Sequence, residues 1–313
     1  MAGNFDKPRL TRKNLALLNS LNGDSKSTKN SDYFESDTMK STPTTDPDFE
    51  QKAYDNGIMD PTASKQPHDA DIVKHHLTLR RQSTQPSERA HEEYCYRISR
   101  SHNETETSRL VQSKLMIDYE DRNRHYGRSN GRAITQIPQQ DFNRGLSNPL
   151  PDVLEGLVTD TLPTSLHGQS LHSNTRSSSS LALCHFATEF KRTDANLRQA
   201  VYQAAYDGAT LVNARNRTLA EAKVHAASVQ GLGVVVDKAA KETAVLTSVN
   251  DGKVVGVYAH HFQDGEYHQN LVARESLLLY PNRGRELIRN AQDFARRKSY
   301  ELEALFVADM EEE

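Results

Sequence analysis

The sequence lacks several features that mark common classes of protein. Of its 313 residues, only two are cysteine and none is tryptophan. Two cysteines, Cys95 and Cys184, supply neither a disulfide framework nor a cysteine-rich zinc site. Cys184 lies in an apolar segment, where a reduced, buried thiol is the simplest interpretation. The cysteine content therefore argues against a disulfide-stabilised secreted scaffold.

Long apolar runs and a basic charge excess are also missing. No segment has the ~18 apolar residues of a membrane span, and the first residues lack the apolar core of a secretory signal. We therefore expect an intracellular protein, cytoplasmic or nuclear, that is not secreted and contacts no membrane. The formal net charge is −3. The chain as a whole offers no basic field for nucleic acid, which weighs against tight non-specific DNA binding.

Hydrophobic residues make up only 35% of the chain, and the deficit is concentrated near the N-terminus. Residues 1–85 are rich in Ser, Thr, Asp, Asn, Pro and Lys and poor in aromatics, so they bury too little apolar surface to offset the entropy of ordering. The composition predicts a disordered low-complexity tail over residues 1–85. It predicts one folded domain over 86–308 and an acidic C-terminal tail over 309–313.

The first half of the predicted domain alternates helical and extended patterns. Residues 87–117 are compatible with helix, and Asn103 is a candidate N-cap for a second helix. Residues 152–157 follow a proline-rich turn and predict a strand. Residues 181–190 form a nearly continuous apolar run, which indicates a central strand buried on both faces. Between these strands, residues 159–180 predict a long Ser-, Thr- and His-rich surface loop.

The second half of the predicted domain begins with a helix from about residue 197 to 224, which carries apolar and small residues at a helical period. Gly208 within it indicates a close approach to the sheet. Strands are predicted over residues 243–249, 253–262 and 267–273, joined by glycine-containing turns, and a helix follows over 283–306. The order predicts an α/β fold with a mixed sheet flanked by helices.

Two short motifs carry candidate chemistry. Pro151-Asp152 precedes one strand, and Glu189-Phe190-Lys191 ends the next. Side chains at i and i+2 of a strand share a face, so Glu189 and Lys191 stand side by side while Phe190 turns away. Asp152, Glu189 and the Phe190 carbonyl supply the oxygen ligands that Mg²⁺ prefers. Mg²⁺, or Mn²⁺ in its place, would polarise a phosphodiester and lower the pKa of bound water. Lys191 would orient that water or stabilise the developing negative charge.

Other polar residues are candidates for supporting roles. Glu104, on the upstream helix, is a candidate for a further acidic contact, with Glu106 as the alternative. Two pairs on the long helix lie one turn apart, so either pair could reach substrate phosphates or fix the metal ligands. These pairs are Gln199 with Tyr202, and Gln203 with Tyr206.

Each motif alone has an ordinary structural explanation. A Glu-x-Lys at a strand end is often a solvated ion pair, and an aspartate after proline is often a turn residue. Only their joint order favours a site. The adjacent His260 and His261 point to opposite faces of a strand, so with His268 they are better explained as structural residues than as zinc ligands.

Several longer blocks of the sequence, within roughly residues 90–308, carry a resemblance to a known family. They are the segments Phe142-Asn143-Arg144-Gly145-Leu146-Ser147-Asn148-Pro149-Leu150-Pro151-Asp152-Val153-Leu154-Glu155-Gly156, His185-Phe186-Ala187-Thr188-Glu189-Phe190-Lys191, Tyr206-Asp207-Gly208-Ala209, Ala214-Arg215-Asn216, Tyr258-Ala259-His260, Tyr267-His268-Gln269 and Arg289-Asn290-Ala291-Gln292-Asp293. In these segments the chain resembles a fungal family of uncharacterised proteins with a PD-(D/E)XK nuclease-like domain.

This resemblance implies a restriction-endonuclease-like mixed sheet with its charged positions intact at Asp152, Glu189 and Lys191. It also implies Mg²⁺-dependent hydrolysis of phosphodiester bonds in DNA or RNA. The sequence departs from the family at Arg192, where a glycine commonly follows the Glu-x-Lys. The alternative is a catalytically inactive nuclease-fold module that binds or regulates an unknown partner, since fold alone does not determine chemistry. A purely structural interaction protein is a third possibility.

Overall fold

The computed structural model describes residues 41–82, 86–117, 125–135, 141–162, 180–226 and 242–307. The helices in these ranges are α1 (Phe49–Asp55), α2 (Ala70–Thr78), α3 (Glu88–Ser99), α4 (Glu104–Leu115), α5 (Leu197–Ala226) and α6 (Pro281–Val307). The strands are β1 (Tyr126–Asn130), β2 (Val153–Val158), β3 (Leu181–Phe190), β4 (Val245–Asn250), β5 (Val254–Gln263) and β6 (Glu266–Ser276).

The strands form one mixed sheet in the order β1-β2-β3-β4-β5-β6. Neighbours are antiparallel except β3 and β4, which are parallel. A parallel pair needs a crossover connection, and α5 lies in the chain between these two strands. The predicted α/β class, with a mixed sheet flanked by helices, is confirmed.

Strand β3 lies at the centre of the sheet, and all ten of its residues are buried. Phe186 and Phe190 belong to the apolar cluster that contains Phe294 of α6, whereas Ala187 belongs to the cluster that contains Leu211 of α5. Alternate residues of β3 therefore face different helices, as the two-residue period of a strand requires. Glu189 continues the face of Ala187, toward α5.

Gly208 lets α5 approach the sheet closely. A Cβ atom at this position would lie 2.1 Å from Nδ1 of His260 on β5, far inside van der Waals contact. The His260 ring is itself held by a 2.7 Å hydrogen bond between its Nε2 and the Thr247 hydroxyl. The close approach predicted from the sequence is confirmed, and the imidazole of His260 is the group that Gly208 accommodates.

The predicted disorder of residues 1–85 is wrong for the part that the structure describes. Residues 41–82 contain α1 and α2 and belong to the same compact unit as the sheet. Phe49, Ile58, Val73 and Leu77 are each at most 4% exposed. These apolar residues are few but well spaced, so a composition averaged over 85 residues conceals them. The folded region therefore begins well before residue 86, and residues 1–40 lie outside the described ranges.

Two further features bear on the sequence predictions. Strand β1, which was not predicted from the sequence, pairs with β2 from Tyr126↔Leu157 to Asn130↔Val153. Most of the predicted loop over 159–180 and the acidic tail over 309–313 lie outside the described residues. Across the helices that the structure describes, none is both long and apolar enough to cross a membrane.

Candidate active site

The pairing of β2 with β3 brings Asp152 near Glu189. The ladder ends where Val153 pairs with Thr188, so Asp152 and Glu189 are the residues directly beyond that pair. The Asp152 carboxylate also accepts a 2.7 Å hydrogen bond from the backbone N–H of Phe190. The two motifs that lie 37 residues apart in sequence therefore meet at one end of the sheet.

Lys191 links Glu189 to Glu104 on α4. Its Nζ lies 3.8 Å from Glu189 Oε2 and 3.3 Å from Glu104 Oε2. The predicted side-by-side placement of Glu189 and Lys191 is thus observed, and Glu104 is the acidic residue of α4 that meets them. Its alternative, Glu106, instead accepts a hydrogen bond from the His102 backbone at the start of the helix.

The Phe190 carbonyl, predicted as a metal ligand, is engaged by the protein itself. Lys191 Nζ donates a 2.8 Å hydrogen bond to this oxygen. The Phe190 ring is fully buried in the apolar cluster that contains Phe294 of α6, as the alternation along β3 predicts. In this arrangement the lysine ammonium is the cation that the carbonyl binds.

Asp207 is a fourth acidic residue of the site that the motif analysis missed. It lies on α5, is 2% exposed, and its carboxyl is within hydrogen-bonding reach of Glu189. One of its oxygens, Oδ2, is buried without a hydrogen-bond partner among the described residues. A signal was present in the sequence, because Asp207 interrupts the otherwise small and apolar face formed by Ala200, Ala204 and Leu211.

Burial and mutual repulsion keep the acidic groups from ionising freely. Burial raises the pKa of Glu189, and the charges of Asp207 and Asp152 raise it further. Burial likewise raises the pKa of Asp207, with a further contribution from Asp152. The Glu189–Asp207 pair therefore retains protons at a pH at which isolated carboxyls are ionised.

Asp152 lies closer to solvent, but its pKa is raised as well. Burial raises its pKa, and the nearby Glu104 charge adds to this effect. The hydrogen bond from Phe190 N–H and the Lys191 charge act in the opposite direction. Four carboxyls of the described residues thus converge near the Lys191 ammonium group, and burial favours the protonated form of Glu189, Asp207 and Asp152.

An open cleft leads to this site. It has a volume of about 680 Å³ and lies between α4 and the β1–β2 region. Its lining includes both Glu104 and Asp152, with Arg109 and Arg128 further along. Glu104 and Asp152 are therefore accessible to a ligand in the cleft, whereas Glu189 and Asp207 are buried and are not part of its lining.

Tyr202 and Gln203 do not behave as the sequence predicted. The Tyr202 hydroxyl donates to Asp60 at 2.8 Å and also contacts Glu50, and Gln203 Nε2 donates to the Thr44 hydroxyl at 3.0 Å. These partners belong to the segment that was expected to be disordered. Both side chains therefore anchor residues 44–60 to α5, which corrects their predicted role as supports for substrate or metal ligands.

The remaining members of those helical pairs also lack a demonstrated link to the carboxylates. Gln199 is exposed on the first turn of α5. The Tyr206 hydroxyl donates a 2.9 Å hydrogen bond to the Ser147 carbonyl, which fixes the loop before β2.

The donor set is compatible with a hard divalent cation, although it is not a complete protein cage. In the described residues, no three His, Cys, Asp or Glu side chains form a group that could hold a metal ion. Mg²⁺ commonly takes only one or two carboxylates and fills its remaining positions with water and substrate oxygens. The unpartnered Asp207 oxygen and the raised carboxyl pKa values are what a site short of positive charge would show. Asp152 and Glu189 are therefore the carboxylates that this site would offer to such a cation.

No protein-family model, curated protein or solved structure matches this chain. The resemblance to the PD-(D/E)XK family therefore stays a prediction from the sequence.

Proposed function

We propose that this protein is a nuclease-like enzyme with a restriction-endonuclease-like fold that hydrolyses phosphodiester bonds of nucleic acid with the help of Mg²⁺. The observation that carries the proposal is the convergence of Asp152, Glu189 and Lys191 at the adjacent ends of β2 and β3. The cleft that reaches Asp152 supports it, because a polymer needs an open approach to the reacting group.

In this proposal, each side chain has a distinct role. Asp152 and Glu189 supply carboxylate oxygens for the cation, and a bound Mg²⁺ would supply positive charge and a more acidic water. Lys191 stabilises charge that develops on the phosphoryl oxygens, or orients the attacking water. Asp207 supports Glu189 from α5. Hydrolysis adds water across the P–O bond, leaving a phosphate monoester on one product and a hydroxyl on the other.

A second candidate is a nuclease-fold module that binds a ligand without turnover. The specific observation that favours it is the hydrogen bond from Lys191 Nζ to the Phe190 carbonyl. A lysine engaged there is drawn away from a phosphoryl group, and the carbonyl is not available to a metal ion. The two candidates differ in whether Lys191 changes partners when a substrate enters.

The deciding experiment is cleavage of labelled single-stranded and double-stranded DNA and RNA by the purified full chain. We expect products with Mg²⁺ or Mn²⁺ and far fewer with Ca²⁺, which has longer, more numerous ligand bonds and positions water poorly. Lys191→Ala should abolish cleavage without changing the fold. Arg192→Ala is the matched control, because it removes a charge from the adjacent, exposed position.

The outcomes separate the candidates. Cleavage that survives Lys191→Ala would reject the assigned roles. Asp152→Asn should lose both metal binding and turnover. Metal binding by the wild-type protein without cleavage of any of these substrates would favour the binding module, and absence of metal binding would reject both the metal site and the nuclease.

A further inference from the structure

The cleft contains an arginine that the protein holds rigidly. Arg128 on β1 lies directly opposite Glu155 on β2. Its Nε and Nη2 atoms lie 2.8 and 2.7 Å from Glu155 Oε1, and Nη2 also donates to the Ile117 carbonyl. Glu155 is completely buried and receives a further 2.7 Å hydrogen bond from Gln292 of α6. Arg128 therefore has little freedom to turn.

The ion pair between Arg128 and Glu155 is expected to contribute little net stability. Desolvation of two charges generally offsets their attraction, so an apolar pair of the same size would stabilise the fold about as well. The pair does have a geometric consequence. The contacts among the described residues use one edge of the guanidinium, which leaves the Nη1 amino group of Arg128 for a ligand in the cleft. Nη1 is a charged donor, and a hydrogen bond from a charged donor to a phosphate oxygen is stronger than one between neutral groups.

A second cation lines the same cleft. Arg109 projects from the exposed face of α4, one turn after Thr105, and its side chain is exposed. The rest of the described lining is mainly hydroxyl and amide groups, such as those of Ser108, Gln112 and Asn130, and contains no aromatic ring. Such a surface can bind a sugar–phosphate backbone but offers no platform on which bases stack.

The size of the cleft limits what it can enclose. Pockets of about 300–1,000 Å³ accommodate drug-sized ligands, so about 680 Å³ is suited to a short stretch of one strand. A double helix is read over a much larger surface, of the order of 1,000–2,500 Å². The cleft is continuous with Asp152, so a strand lying in it would lead to the proposed reacting phosphate.

We propose that Arg128 and Arg109 form a phosphate subsite that binds the backbone of a single nucleic-acid strand beside the phosphate that lies at Asp152. This inference rests on the proposed function and specifies its substrate as a single strand recognised through its backbone. Glu155 and Gln292 are positioning residues that aim Arg128 into the cleft. Because no base is read, strands of different sequence bind alike.

The test measures binding apart from cleavage. A fluorescein-labelled octanucleotide is titrated with the full-length Lys191→Ala protein in Ca²⁺, and anisotropy is followed over a range of salt concentrations. Arg109→Gln should weaken binding about tenfold, since a hydrogen bond to a charged group contributes roughly that much. It should also reduce the slope of log affinity against log salt by about 0.7, the value for one phosphate contact on a single strand.

Matched variants make the result specific. Lys114→Gln removes one positive charge from the exposed surface of the same helix, outside the described lining of the cleft, and should leave affinity and slope nearly unchanged. Arg128→Lys keeps a positive charge near Glu155 but removes Nη1, and should weaken binding about tenfold. Its melting temperature is measured alongside, because lysine also loses hydrogen bonds to Glu155 and to the Ile117 carbonyl. Arg128→Ala is less suitable, because it strands a buried carboxyl.

The results distinguish this inference from the proposed function. Equal effects of Arg109→Gln and Lys114→Gln, a mononucleotide that binds as tightly as the octanucleotide, or no binding at all would overturn the subsite. If the wild-type protein cleaves the substrate and Arg109→Gln cleaves it with the same KM, the proposed nuclease activity stands and the subsite is rejected. Arginine-dependent binding of the octanucleotide without any cleavage in Mg²⁺ would support the subsite and reject the nuclease.

Discussion

Replacing Gly208 with alanine should destabilise the protein, although alanine is the better helix former. The added Cβ would lie 2.1 Å from His260 Nδ1 and 2.4 Å from its Cγ, so the ring or the helix must move. His260 cannot move freely, because it is fully buried and bonded to Thr247. The clash also affects the candidate site, since Asp207 immediately precedes Gly208 in α5.

The expected change in the free energy of unfolding combines two destabilising effects and one stabilising effect. Overpacking of a core costs about 1–3 kcal/mol, and loss of the His260–Thr247 hydrogen bond costs a further ~1–3 kcal/mol if a buried group is left unpaired. Alanine returns about 1 kcal/mol of helix propensity. The net destabilisation is about 1–5 kcal/mol, which corresponds to a fall in melting temperature of roughly 2–20 °C for a domain of this size.

The assay is urea unfolding of four proteins: wild type, Gly208→Ala, His260→Ala and the double variant. In the His260→Ala background the obstacle is gone, so Gly208→Ala should be neutral or stabilising. The reasoning is refuted if Gly208→Ala matches the wild type, or if it costs the same free energy in both backgrounds, because the coupling between the two positions would then be absent.

Three further predictions concern other parts of the molecule. Asp207→Asn should stabilise the protein increasingly from pH 5 to pH 8. Burial raises the pKa of Asp207 to about 7, so the folded state retains a proton that the unfolded chain has already released, and wild-type stability falls as pH rises through that window. Urea unfolding that gives the same difference between the two proteins at both pH values would contradict this. Deleting residues 1–82 should lower the free energy of unfolding by several kcal/mol, because four buried apolar side chains of that segment contribute roughly 1.5–3 kcal/mol each before entropy is subtracted. An unchanged urea midpoint would show that their packing is energetically unimportant. Tyr202→Phe should lower the melting temperature by a few degrees through loss of its hydrogen bonds to Glu50 and Asp60. A substrate contact of Tyr202 would instead appear as weaker oligonucleotide binding at an unchanged melting temperature.

The sequence by itself determined the features that depend on neighbouring residues. The apolar run of β3, the Asn103 cap of α4 and the glycine-containing turns between β4, β5 and β6 are local signals, and each structure was predicted correctly. The adjacency of Glu189 and Lys191 is local too, because it follows from the two-residue period of a strand. The close approach at Gly208 was likewise visible, because glycine destabilises a helix interior and its presence there calls for a packing reason.

The tertiary structure alone decided which distant residues meet. The register of β2 against β3 places Asp152 near Glu189, and the position of α5 brings Asp207 to the same carboxylates. Residues 44–60 engage Tyr202 and Gln203 across more than 140 positions of sequence, which no local pattern encodes. Periodicity reports which face of an element is apolar, but the partner of that face is chosen by the packing of the whole chain.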